Sequence, residues 1–131
     1  MNDTSQTADG VAILLWATAP ETPHLLATPF FFAAAAAAMD MRVEIYFTAR
    51  SVQLLVPGVA AGLRADVRSD KTILASMQEA VLHGAVLLAC TDALRAQGLD
   101  HGGLIAECSG HGGAVQFMAR AGDLRWRTLV F

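Results

Sequence analysis

The chain has 131 residues, enough for one compact domain and too few for two hydrophobic cores, which excludes a two-domain enzyme with an interdomain cleft. Its formal charge is -3, and a single lysine among nine cations, with no basic run, gives a phosphate backbone little to hold, so nucleic-acid binding is not expected. Apolar residues make up 54% and charged residues only 16%; even after discounting 25 alanines, the few charges predict an apolar patch that rests on a partner subunit.

Residues 1–10 are acidic and polar and lack the basic segment of a secretory or transit signal; they read as a disordered leader on an intracellular, cytoplasmic protein. The domain is expected over residues 11–131. VAILLWA, from Val11 to Ala17, is a continuous apolar run of the kind buried on both faces of a parallel sheet. The uncharged stretch between Glu21 and Asp40 is broken by Pro23 and Pro29 and is rich in alanine rather than leucine, so it reads as a helix and not a membrane span. Thr22 or Thr28 would cap that helix, which runs to about Met39 and turns Phe31, Ala34, Ala35 and Ala38 toward the sheet. The region from Phe30 to Met39 is too apolar to hide every side against one sheet, and is expected at a trimer or hexamer interface.

MRVEIYFT, from Met41 to Thr48, alternates Val43, Ile45 and Phe47 with Arg42, Glu44 and Tyr46, which predicts a strand near an edge. A short helix follows, ended by Pro57-Gly58, and then a polar loop from Gly62 to Lys71. Ile73, Leu74, Met77, Ala80 and Val81 have helical spacing up to Gly84. AVLLAC is a third strand ending at Cys90, TDALRAQG a helix, GLIAEC a fourth strand ending at Cys108, GGAVQFMARAG a helix and WRTLVF a fifth strand. Strands alternating with helices, without a hairpin dipeptide, specify an α/β fold: a three-layer α/β/α domain on a five-stranded parallel sheet.

Ligands of such a sheet gather beyond the carboxyl ends of its strands, where this reading places both Cys90 and Cys108. On neighbouring strands the thiols would be about 5 to 6 Å apart. Cys90 directly precedes a helix, whose free amides and dipole favour a thiolate, opposed by Asp92. Cys108 opens CSGHGG, a flexible turn in which His111 could accept a proton from either thiol. A Cys108 and His111 pair is at most half a zinc site, with Cys90, His101 and Asp100 as the nearest further ligands, and GHGG lacks the spacing of a phosphate or dinucleotide loop. Catalytic candidates are therefore Cys90, Cys108 and His111. Arg50, Thr91, Asp92, Ser109 and Gly110 are possible rim contacts, with Arg50 able to receive an anionic sulfur species; His101 is expected at the opposite edge.

GAVLLACTDALRAQGL, with VAILLWATAPETPHL before it and GGAVQFMARAGD and TLVF after it, resembles the DsrE/DsrF/TusD-like family of small sulfur-relay proteins over nearly the whole chain. The resemblance implies a DsrE/F-like fold and a cytoplasmic sulfur carrier or sulfurtransferase. In it, Cys90 would carry a persulfide received from a sulfur donor protein and passed to an acceptor protein, without any cofactor, in a homo-oligomeric assembly. The second cysteine departs from the family pattern. Two other classes stay open on the residues: a noncatalytic subunit or small-anion or nucleotide binding module, and a thiol redox protein cycling Cys90 and Cys108.

Overall fold

The computed structural model describes residues 7–131, so the first six residues of the expected leader lie outside the described residues. Five parallel strands form one sheet in the order β4-β3-β2-β1-β5: β1 (Gly10–Leu15), β2 (Arg42–Phe47), β3 (Val86–Ala89), β4 (Cys108–His111) and β5 (Trp126–Val130). Alternation along each strand divides the sheet into two unequal faces. Val11, Ile13 and Leu15 lie in register with Val43, Ile45 and Phe47 on one face, all buried. Helices α1 (Ala27–Ala38), α2 (Ile73–Leu82) and α3 (Thr91–Ala96) add Phe30, Met77 and Leu94 to that core, joined by Val52, Leu54 and Leu55 of a 3₁₀ segment, Ala49–Leu55. On the other face a single helix among the described residues, α4 (Ala114–Ala121), sets Phe117 against a small cluster of Ala12, Tyr46, Leu88 and Trp126. The result is the expected three-layer arrangement. Among the described residues no helix is long and apolar enough to cross a membrane.

The chain steps outward from β1 to β4, and α4 then carries it back across the sheet to pair β5 with the free side of β1. The connection leaving β3 packs on the first face through α3, while that leaving β4 packs on the second through α4. Loops that part to opposite faces leave a crevice beyond the carboxyl ends of the two strands.

Three readings of the sequence are corrected. The strand β2 occupies the centre of the sheet, not its edge, and its polar residues Glu44 and Tyr46 are buried beneath α4. Helix α1 buries Phe30, Ala33 and Ala37, one position earlier than expected, because it starts at Ala27 after an uncapped Leu26, with Thr28 and Pro29 inside its first turn. The fourth strand begins at Cys108 rather than ending there. Leu104 and Ile105 lie over the first core instead of joining the ladder, and Ile105 donates its amide to the Leu55 carbonyl at 2.9 Å.

Phe30 is fully buried and stacks on Phe47 at 6.2 Å between centroids, whereas Phe31 is about half exposed at 49%. Urea unfolding is therefore expected to show a loss of about 3–5 kcal/mol for Phe30→Ala and less than about 1 kcal/mol for Phe31→Ala. The reverse order would mean that the helix is rotated by one residue.

Candidate functional site

The crevice holds a cavity of about 440 Å³, within the ~300–1,000 Å³ range of small-molecule pockets. Its floor is the thinly covered face of the sheet, with Leu14 of β1 and Tyr46 of β2; Thr48 and Cys90, which follow β2 and β3, stand at the carboxyl edge. Cys90 is the N-cap of α3, makes no side-chain cap bond, and ties its own amide to the Phe47 carbonyl at 2.9 Å. Thr91 and Asp92 follow it along the wall. The roof is the start of α4: Gly112, Gly113 and Ala114, then Phe117 and Met118 one turn on.

Gly112 makes this closure sterically feasible. Its amide donates to the Ala89 carbonyl at 3.0 Å, which sets it alongside Cys90, and a Cβ there would fall 2.8 Å from both Leu88 and the Tyr46 ring. Any side chain would push the turn away from the sheet.

A buried polar network anchors the roof to the floor. Arg120 of α4 donates two hydrogen bonds to Glu44, at 2.9 Å and 2.8 Å, and the Tyr46 hydroxyl donates a third at 2.6 Å. The Arg120 guanidinium also lies 4.2 Å from the centroid of the Trp126 ring, and Tyr46 meets Phe117 edge to face at 5.4 Å. Burial pushes the Glu44 carboxyl up, but the hydrogen bonds from Arg120 and Tyr46 and the charges of Arg120 and Arg42 outweigh it and hold the group below its ordinary value. Burial first, and the Glu44 carboxylate next to it, push the Tyr46 phenol up to about 12. None of the three was a candidate from sequence, because Glu44 and Arg120 are 76 residues apart and only the return of α4 brings them together.

The structure separates the two cysteines. Cys108 pairs with Leu87, three positions before Cys90, so the residues are offset by about 10 Å along the strands, beyond the Cα reach of a disulfide, roughly 7 Å. Cys108 packs against the first core and burial pushes its thiol up, only partly offset by hydrogen bonds with the backbone of Gly110 and Ala89. Ser109 and Gly110 lie within β4 rather than on the rim: Ser109 bonds the Leu87 carbonyl at 3.4 Å and Gly110 pairs with Leu88. Arg50 forms an ion pair with Glu21 and does not line the cavity.

His111 ends β4, its Nδ1 2.9 Å from the Thr91 hydroxyl, and stacks on His101 at 3.4 Å between centroids. His101 is thus at the carboxyl edge and not the opposite one, because the 3₁₀ turn His101–Gly103 precedes β4 without yet having descended to its start. Of the sequence candidates, Cys90, Thr91 and Asp92 meet at the cavity, with His111 touching it through Thr91.

The sequence model described as the DsrE/DsrF-like family matches residues 11–124. Among solved structures, the ychN protein from E. coli superposes with a TM-score of 0.70 at 13% identity, covering 93% of this chain and 99% of that one. A protein of unknown function, MTH1491 from Methanobacterium thermoautotrophicum, gives 0.63 at 19% identity, covering 92% and 97%. At these identities both neighbours speak to the fold alone. No curated protein matches the sequence.

Tyr46 is the single tyrosine of the chain, so phenolate absorbance reads this network without interference. The native protein is expected to titrate near 12, against about 10 in urea. With the folded value above the unfolded one, the stabilisation is complete below pH 10 and is lost as pH rises from 10 through 12. A native midpoint near 10 would mean that α4 does not seal Tyr46.

Proposed function

We propose that this chain, which belongs to the DsrE/DsrF-like family, is a sulfur carrier or sulfurtransferase that accepts sulfane sulfur on Cys90 and passes it to a partner protein. The family is associated with sulfur relay. The observation that carries the assignment to Cys90 is its position: it lines a preformed cavity at the carboxyl edge of the sheet, facing the start of α4, while Cys108 sits against the core with its thiol pushed up by burial.

The transfer needs no group beyond the thiols. The Cys90 thiolate attacks the terminal sulfur of a donor persulfide, R–S–SH; the S–S bond of the donor breaks, R–S⁻ leaves, and Cys90–S–SH forms with the proton still on the outer sulfur. The acceptor thiolate then repeats the step on Cys90. Neither step changes the total oxidation level. Gly113 and Ala114 at the start of α4 line the same cavity as Cys90, and a helix N-terminus there favours an anionic sulfur before and after loading. The offset of Cys108 supports a carrier over a redox cycle, because a thiol beside the persulfide would attack it and release sulfide.

We also read the protein as a homo-oligomer, a trimer or hexamer, acting in the cytoplasm, where thiols stay reduced. Phe31 and Phe32 on α1 are each about half exposed, and Met39 just beyond the helix is 73% exposed, which supports an interface along that helix.

Native mass spectrometry after incubation with a persulfide donor tests both readings at once. The expected result is one added sulfur, about +32 Da per subunit, on a trimer or hexamer, with the adduct mapped to Cys90 and absent in Cys90→Ser but retained in Cys108→Ser. An unmodified chain under conditions that load an established carrier would sink the sulfur assignment. A 14 kDa monomer at micromolar concentration would sink the oligomer.

A further inference from the structure

We infer that the cavity in front of Cys90 is a binding site for an uncharged, apolar organic group, so that the low-mass sulfur compounds this protein recognises are organic persulfides, polysulfides or thiols whose substituent R is neutral and apolar rather than charged. The inference rests on the sulfur-transfer reading for the chemistry at Cys90, but the class of ligand follows from the cavity itself. Three features carry it.

The first is charge. Among the described residues Asp92 is the only charged side chain lining the cavity; it stands at the solvent-facing rim, 91% exposed, and pairs at 3.3 Å with Arg95, itself 76% exposed. The neighbouring cations are committed elsewhere: Arg120 to Glu44 and Arg50 to Glu21. An anionic ligand, such as thiosulfate or the carboxylates of a glutathione persulfide, would enter beside Asp92 with no cationic side chain among the lining residues to meet it.

The second feature is the wall, which presents Leu14, the Tyr46 and Phe117 rings, Ala114 and Met118. The Tyr46 hydroxyl, its natural polar handle, is already bonded to Glu44. The third is size and continuity. About 440 Å³ is far larger than an inorganic sulfur anion needs. Apolar surface also continues outward: Met118 is 62% exposed, and Val130, in register with Leu14, is 55% exposed.

Methanethiosulfonates read the cavity without any sulfane-sulfur chemistry. The Cys90 thiolate attacks the sulfenyl sulfur of CH₃SO₂–S–R, forms Cys90–S–S–R and releases methanesulfinate, so only R differs between reagents. Rates are measured on the full-length Cys108→Ser protein with R as benzyl, 2-sulfonatoethyl and 2-(trimethylammonio)ethyl, each divided by its rate with a free cysteine derivative. The benzyl reagent is expected to be favoured over the sulfonate by roughly tenfold or more, from burial of one aromatic ring. Asp92→Asn should speed the sulfonate several-fold while the benzyl preference over the cationic reagent persists. Met118→Lys should erode the benzyl preference and raise the sulfonate rate. Normalised rates within twofold of one another, or a faster sulfonate, would overturn the inference. A parallel loading arm compares benzyl persulfide with glutathione persulfide. Preferential loading by the benzyl compound supports the inference, and equal loading overturns it while leaving Cys90 a carrier. If neither compound loads although the benzyl methanethiosulfonate preference holds, the sulfur-transfer reading falls and the apolar ligand class stands.

Discussion

A carboxylate in the middle of a central strand has to be matched, and much of the molecule follows from how Glu44 is. On the face of the sheet covered by α4, Glu44 is 9% exposed and cannot rely on water. Arg120 answers it with two hydrogen bonds and Tyr46 with a third. That fork fixes the rotation of α4 over the sheet. The same rotation turns Phe117 onto the Tyr46 ring and brings Met118 to the mouth of the cavity. Such a pair contributes little to net stability compared with an apolar substitute, but removing one partner strands the other in a dry setting. Its effect here is geometric: a short helix with no buried residue of its own is held in one orientation.

The strands β1 and β3 were legible in the sequence because both their faces are covered, so VAILL and VLLA read as unbroken apolar runs. Cys90 was legible for a related reason: the apolar run stops and a good helix begins, so the residue between them has to lie at the edge. The strand β4 was not. Cys-Ser-Gly-His has no strand pattern, and the apolar residues just before it were needed to cover the first core. The alternation in β2 was correctly seen and wrongly interpreted. Polar residues on one face signal water only when no partner is available from elsewhere in the chain, and here Arg120 is the partner.

The two thiols show how far apart one sheet can set a pair of identical groups. Both follow from the same pair of neighbouring strands, yet one is at the end of its strand and the other at the beginning. Cys108 meets carbonyl groups and apolar side chains, an environment that favours the neutral thiol. Cys90 meets a cavity. The glycine turn after β4 makes that difference possible, since at Gly112 the backbone itself, with no side chain, closes against Leu88 and Tyr46.

The return of α4 across the sheet also sets the order in which a growing chain can be completed. Gly10 pairs with Trp126 and Leu14 with Val130, so one side of the first strand waits for the last strand to be made. Contacts of such long sequence separation form late, after the loop-closure entropy has been met. During synthesis, β1 to β3 and their three helices can assemble one core while the opposite face, with Glu44 unmatched and Cys90 uncovered, stays open to solvent. A nascent chain therefore has the Cys90 thiol before it has the wall that encloses it, because the Gly112–Met118 side of the cavity is set in place only as α4 packs back over the sheet.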